Sequence, residues 1–177
     1  VIKASDEFLR FVFITGVSKF SKVSVFSDLN NLRDITLSKQ FSQLLGYTET
    51  ELEQYFEPFF DMLADEAGIH REQLPAEIRE WYNGYNFLAE PVYNPFDVLL
   101  YLKKQVFKPY WFETGTPSFL PRLLRERAIP AHCLEGIRIS DTFMGSFDVD
   151  AVEPQPLLFQ TGYLTIKEEK AYPGGIL

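Results

Sequence analysis

One short run of apolar residues near the start of the chain limits the fold more than any other feature. Residues 11–14 are Phe-Val-Phe-Ile and are followed by Thr15 and Gly16, a pattern typical of a strand buried on both faces of a parallel sheet. Parallel strands need neighbours joined by crossover connections, and no second run of this kind follows. The sequence therefore predicts that the partner strands precede Val1, and that the isolated chain self-associates through the uncovered strand.

Capping signals mark a series of helices through the middle of the chain. Thr48 followed by Glu51 forms a capping box. Asn94 followed by Pro95 supplies a helix cap and a first helical residue. We expect most of these helices to pack as a small bundle. The predicted helices cover 38–45, 48–56, 58–67, 71–82, 95–105, a segment beginning at 117, and 154–161.

Weaker signals predict a few strands and turns. Residues 34–37, 110–115 and 163–167 are short runs with strand-like composition. A turn at 173–175 would lead to a partner strand that the sequence cuts off at Leu177. A helix followed by such a hairpin is how a winged-helix unit ends. The remaining predictions are an Asn-Gly turn within 81–87 and an irregular stretch over 130–153.

Composition narrows the classes of function. The formal net charge is −8 and the sequence pI is about 4.8, which argues against wrapping nucleic acid by this chain alone, because such binding needs cationic side chains. Cys133, His70 and His132 are too few for a disulfide framework or a Cys/His zinc set, and the histidines lack triad spacing. No run approaches the roughly 20 apolar residues that cross a bilayer, and no secretory signal opens the chain. We expect a cytoplasmic protein without membrane association.

The chain contains no phosphate-binding loop of the Walker A type. Residues 16–19 are the nearest candidate, but they lack the glycine required before the lysine. The strand over 11–14 ends in Thr15 instead of a carboxylate that would hold magnesium. Thr15, Ser18 and Lys19 nonetheless follow the edge where open α/β sheets bind ligands. They are either phosphate or water ligands or an ordinary polar strand end.

Three other patterns have both a functional and a structural interpretation. Residues 168–170 are Glu-Glu-Lys and, with Asp148 or Asp150, fit a metal-dependent nuclease, although charges at the end of an exposed hairpin strand explain them more simply. The aromatic residues of 81–87 could stack on bases, but their helical spacing favours the core. The three arginines within 122–127 could meet phosphate or an acidic partner, and a solvated helix face is the simpler account.

Several strings, taken in order, resemble one family. That family is the AAA-ATPase-like domain of bacterial proteins that usually also carry a C-terminal nuclease domain of the PD-(D/E)XK superfamily. The match covers nearly the whole chain. The strings are 11–22 (FVFITGVSKFSK), 29–32 (LNNL), 34–37 (DITL), 46–48 (GYT), 51–52 (EL), 81–85 (WYNGY), 93–96 (YNPF), 110–117 (YWFETGTP) and 157–164 (LLFQTGYL).

The resemblance implies an α+β, mainly helical segment of a P-loop ATPase. Residues 1–37 would be the last part of the ATPase core, with the terminal strand of its parallel sheet, and 38–130 would be a helical lid. Residues 131–177 would be a truncated winged-helix-like unit. Walker A and Walker B would precede Val1, and the nuclease would follow Leu177.

The resemblance also implies roles for particular residues and ligands. Thr15 looks like sensor 1, the polar residue that reads the γ-phosphate, with Ser18 and Lys19 as nucleotide-binding neighbours. Asn83 stands where the family more often has Asp, so no acidic role follows there. ATP and Mg²⁺ would be cofactors of the full-length protein, and this segment alone would bind neither.

The sequence thus leaves two classes of function. In the first, the segment is the nucleotide-sensing and lid portion of an AAA-like ATPase and is inactive alone. Its partners would be the rest of its own ATPase domain and the nuclease domain, with nucleic acid bound only by the full-length protein. In the second, it is a non-catalytic module that binds a partner protein or DNA through its helices and winged-helix-like end.

Overall fold

The computed structural model describes residues 7–16, 32–115, 119–140, 154–172 and 175–176. These residues are mainly helical, with two small two-stranded antiparallel sheets, as the predicted mainly helical α+β class requires. The chain divides into two compact units. One contains Ile35–Pro130 and Thr165–Glu169, and the other contains Val1–Asp34, Ala131–Leu164 and Lys170–Leu177. Assigning them to an ATPase core, a lid and a winged helix remains a prediction.

The unit of Ile35–Pro130 and Thr165–Glu169, which we call the helical unit, contains short helices and one hairpin. Its described elements, in chain order, are α1 (Glu49–Phe56), α2 (Phe60–Ala67), α3 (Leu74–Tyr82), β1 (Asn83–Tyr85), β2 (Val92–Tyr93), α4 (Pro95–Lys104), α5 (Tyr110–Gly115) and α6 (Phe119–Glu126). Single 3-10 turns are added at Lys39–Phe41, Glu57–Phe59 and Arg71–Gln73.

The capping signals placed α1, α2 and α4 correctly. Thr48 Oγ1 accepts a hydrogen bond from Glu51 N at 3.2 Å, and the Glu51 carboxylate accepts one from Thr48 N at 2.8 Å. Asn94 Oδ1 accepts from Phe96 N at 2.9 Å at the start of α4. Gly68 ends α2 in the left-handed conformation, with φ of 67°. These helix boundaries are confirmed because caps are local and depend on residues close in sequence.

The helix predicted over 38–45 is wrong. Only the 3-10 turn Lys39–Phe41 forms there, and the Ser38 side chain caps nothing in it. The chain turns away because Gly46 lies directly against β2, where an added Cβ would overlap Val92. Tyr47 and Tyr93 exchange backbone hydrogen bonds of 3.2 and 2.8 Å beside it. A contact distant in sequence therefore replaces the local helix. The strand predicted over 34–37 is also wrong, since residues 34–35 have no regular structure and residues 36–37 form a turn.

The strand predicted over 110–115 is helix α5. Aromatic residues favour strands on average, but tertiary contacts override that preference. Asp97 Oδ1 accepts a hydrogen bond from Trp111 N at 2.6 Å in the first turn of α5. The Tyr110 hydroxyl donates to Val106 O at 2.6 Å, and the Lys104 ammonium lies 4.9 Å from the Tyr110 ring centre. The predicted Asn-Gly turn is likewise wrong, because those residues belong to β1.

The core of the helical unit is formed by residues of helices α1 through α5 and of β2, and it contains four tyrosines. Tyr101 stacks on Phe107 at 4.2 Å between ring centres, and Tyr82 lies 5.7 Å from Tyr101. Trp81, predicted to share the buried face of α3, is 45% exposed. The buried cluster consists of Leu52, Phe60, Leu63, Ala64, Leu74, Ile78, Tyr82, Tyr93, Val98, Tyr101 and Tyr110.

Removal of the hydroxyl is expected to have different effects on stability at two core tyrosines. The Tyr82 hydroxyl accepts from Lys108 N at 3.1 Å, whereas the Tyr101 hydroxyl is buried with no partner among the described residues. Tyr82→Phe should lower the free energy of unfolding by about 1 kcal/mol, because it leaves a backbone donor unpaired. Tyr101→Phe should leave stability unchanged or raise it. Urea unfolding of the two variants checks this, and an equal loss in both would contradict it.

The other unit contains a short helix and a hairpin among its described residues. The predicted helix is confirmed as α7 (Pro154–Gln160), and Gly162 follows it with φ of 81°. Residues 163–167 form no strand, so that prediction is wrong. The hairpin consists instead of β3 (Ala171–Tyr172) and β4 (Gly175–Ile176), paired antiparallel. The predicted partner strand therefore begins within the chain, at Gly175. Within the irregular stretch predicted over 130–153, Ala131–Leu134 forms a 3-10 turn.

Candidate functional site

Thr15 lies in an exposed segment without regular secondary structure. Residues 11–14 form no strand, so the parallel sheet predicted there is not shown. Phe11 is 80% and Phe13 46% exposed, and their rings stack 6.5 Å apart. A parallel strand takes its hydrogen bonds from neighbouring strands, and the described residues provide none here. Ser18 and Lys19 lie outside the described residues.

The structure describes only part of the nuclease pattern. Glu169 forms an ion pair with Lys39, and it borders a shallow cavity of about 200 Å³. Asp148 and Asp150 lie outside the described residues. In the described part of the chain, no group of three or more His, Cys, Asp or Glu side chains could hold a metal ion.

The aromatic segment 81–87 is divided between core and surface. Tyr82 is 2% exposed, and Trp81 stacks on Phe107 at 5.8 Å between ring centres. With Tyr82 buried, these rings do not form one continuous exposed platform for stacked bases.

The structure assembles one polar cluster that the sequence did not indicate. Glu49, at the start of α1, receives two hydrogen bonds from the Arg79 guanidinium of α3, at 3.0 and 2.8 Å. The Tyr93 hydroxyl of β2 donates to the same carboxylate at 2.7 Å. Tyr93 is fully buried, while the Arg79 side chain is half exposed. We call Glu49, Arg79 and Tyr93 the carboxylate cluster.

Electrostatics hold the carboxylate cluster in one charge state. Burial opposes ionisation of Glu49, but hydrogen bonds from Arg79 and Tyr93 outweigh it and lower its pKa. Burial, followed by the hydrogen bond to Glu49, raises the pKa of Tyr93 to about 12. An ionised carboxylate that already accepts three hydrogen bonds is a poor general acid or base. The cluster therefore joins α1, α3 and β2 and has no catalytic arrangement.

The cluster predicts a pH-dependent stability. Because the pKa of Glu49 in the folded state lies below its usual value of 4.5, its contribution is complete above that value and is lost as the pH falls through the folded-state pKa. Glu49→Gln should cost about 1 kcal/mol at neutral pH, since the pair is partly exposed, and less in acid. Urea unfolding at neutral pH and in acid measures the difference in the free energy of unfolding between Glu49→Gln and the unchanged chain. Glu53→Gln, on the exposed side of α1, is the control, and a cost for Glu49→Gln that does not change with pH would contradict the account.

A second carboxylate has a structural role. Asp97 is 7% exposed and accepts the hydrogen bond from Trp111 N. Burial raises the pKa of Asp97, and the hydrogen bond opposes that rise. Because Asp97 lies at the start of α4, this hydrogen bond links α4 to α5.

Sequence reasoning missed both carboxylates for the same reason. Glu49 and Arg79 are separated by 30 residues, and Asp97 and Trp111 by 14. The residues alone carry no signal for pairing at those distances. Only the position of Glu49 in the first turn of a capped helix marked it as ordered.

Comparison with known proteins found a related sequence. An uncharacterized protein in the vnfD 5′ region of Azotobacter chroococcum mcd 1 is 50% identical over 166 residues, which is 94% of this chain. The chain spans 30% of the length of that relative. No protein-family model matches the chain, and no solved structure matches it. Among the described residues, every helix is too short or too polar to span a membrane.

Proposed function

We propose that this chain is the nucleotide-sensing and lid portion of an AAA-like P-loop ATPase and is inactive alone. The observation that carries the proposal is the ordered series of strings from 11–22 to 157–164, which resembles one ATPase family along nearly the whole chain. The helical unit Ile35–Pro130 supports it, because it packs around a core of its own as a lid would. Hairpin β3–β4, which follows α7, is compatible with the proposed winged-helix-like end.

ATP and Mg²⁺ belong, in this proposal, to the full-length protein. Among the described residues, no cluster of three or more His, Cys, Asp or Glu side chains could hold a metal ion. The sequence also has no Walker A loop. The phosphate-binding amides, the Walker lysine and the magnesium ligands are therefore assigned to residues outside this chain. Within the chain, we assign Thr15 as sensor 1, with Ser18 and Lys19 beside the nucleotide. The Azotobacter relative is about three times as long as the matched segment, which gives room for such a core.

A non-catalytic interaction module is the second candidate. Large apolar side chains on the helical unit are exposed, including Tyr55, Phe59 and Leu99 at 59%, 45% and 49%, and in this proposal they belong to a surface that a partner covers. Binding of a partner protein or DNA would then be the whole function.

The residues encoded before Val1 in the full-length protein separate these candidates. The ATPase proposal requires a glycine-rich loop ending in Lys-Ser or Lys-Thr, followed by an apolar strand ending in a carboxylate. If either motif is absent, the ATPase proposal fails and the interaction module stands.

A further inference from the structure

The helical run from α1 through α2 is acidic along its whole length. Residues 49–67 contain seven Asp or Glu residues and no Lys, Arg or His. Arg79 neutralises Glu49, and Arg71 pairs with both Glu57 and Asp61. No basic side chain among the described residues pairs with Glu53, Asp65 or Glu66.

The same segment exposes large apolar side chains. Tyr55 lies near the end of α1, Phe59 is the N-cap residue of α2, and Met62 lies in the first turn of α2. Three positions separate Phe59 from Met62, a spacing that places both side chains on one side of a helix. Tyr55, Phe59 and Met62 are 59%, 45% and 44% exposed. On the opposite side, Leu52, Phe60 and Leu63 are buried in the core. The run is therefore apolar on two sides, of which the core uses one.

Carboxylates lie beside Met62 on α2. Asp65 and Glu66 follow Met62 by three and four residues, so they are its neighbours on the surface of α2. Both are exposed. Gln105 Nε2 contacts Met62 Sδ at 3.1 Å, so the residue that ends α4 also lies beside Met62. We call Tyr55, Phe59 and Met62, with Asp65 and Glu66, the acidic stripe.

We propose that the acidic stripe docks a basic amphipathic helix of a partner protein. The apolar side of that helix would cover Tyr55, Phe59 and Met62, since methionine and aromatic side chains adapt to varied apolar partners. Its Lys and Arg residues would meet Asp65 and Glu66 and the remaining negative field of α1 and α2. The field repels phosphate groups, so the charge excludes nucleic acid as the occupant of this surface. The stripe does not involve Thr15 and requires no nucleotide chemistry.

A designed peptide tests the stripe on the intact chain. The probe is a fluorescein-labelled helical peptide of Leu and Lys with about 18 residues, or five turns, and the control peptide has Glu in place of Lys. Fluorescence anisotropy at physiological ionic strength should show micromolar binding of the Lys peptide alone. The double variant Phe59→Ser/Met62→Ser should weaken that binding by about tenfold or more. Asp65→Asn/Glu66→Gln should weaken it and reduce its salt dependence.

Matched variants elsewhere on the helical unit separate the stripe from general stickiness. Leu44→Ser/Leu45→Ser removes two apolar side chains that are 54% and 67% exposed, and Glu90→Gln/Glu113→Gln removes two charges. Both should bind the Lys peptide within about twofold of the unchanged chain. All four double variants change exposed residues, and circular dichroism verifies that each remains helical.

Four results would overturn the proposal. These are no binding of the Lys peptide, equal binding of the Glu peptide, unchanged binding in the Phe59/Met62 variant, and equal losses in the matched variants. Sedimentation of the chain alone provides a fifth. Self-association that the Phe59/Met62 variant abolishes would assign the stripe to a second copy of this chain instead.

Discussion

If the full-length protein is the ATPase that we propose, Thr15→Ala is expected to slow ATP hydrolysis far more than it weakens ATP binding. A sensor hydroxyl interacts mainly with the charge and the water of the transition state, so its loss raises the barrier without removing ground-state contacts. Removal of one such polar group typically costs about 100- to 1,000-fold in kcat. The dissociation constant for Mg-ATP should change by less than about threefold, since the Walker loop supplies most of the phosphate contacts. Steady-state hydrolysis and equilibrium titration measure the two effects.

Two further variants make that result specific to the Thr15 hydroxyl. Thr15→Ser retains the hydroxyl and should recover most of the hydrolysis rate. Thr50→Ala removes an exposed threonine hydroxyl on α1 and should leave the rate unchanged. Equal losses of hydrolysis and binding in Thr15→Ala would make Thr15 an ordinary ligand. An unchanged rate would mean that Thr15 is only the polar residue at the end of an apolar segment.

Local signals predicted the helices well because helix termini are determined by neighbouring residues. Thr48 and Glu51 cap each other across three positions, and Asn94 bonds the two backbone amides that begin α4. Gly68 ends α2 through its own left-handed conformation. None of these features depends on the rest of the fold, so the sequence was sufficient for them.

Elements that depend on distant partners were predicted poorly. The segment 38–45 has a helical pattern, but Gly46 must approach Val92 and the helix does not form. The segment 110–115 has strand-like composition, but the hydrogen bond from Trp111 N to Asp97 stabilises a helix. The deciding contacts lie 46 and 14 residues away in sequence, where neither propensity nor periodicity carries information.

The candidate site shows the same division. Thr15 follows an apolar run, and that local pattern was enough to single it out. The neighbours that would make it a sensor are not local. Ser18 and Lys19 lie outside the described residues, and the strands that would bury residues 11–14 are proposed to precede Val1. The carboxylate cluster of Glu49, Arg79 and Tyr93 depends on three separate elements and left no sequence signal.

Calorimetric titration with Mg-ATP tests the central claim most directly. The full-length protein should bind in the micromolar range, because it would contain the loop amides and the lysine that supply most of the phosphate binding energy. The chain of residues 1–177 lacks those groups and should give no binding heat at the same concentrations. Its helical content, measured on the same sample, shows that it is folded. Micromolar binding by this chain alone would place the nucleotide site within it, and no binding by the full-length protein would remove the ATPase function; either result contradicts the account.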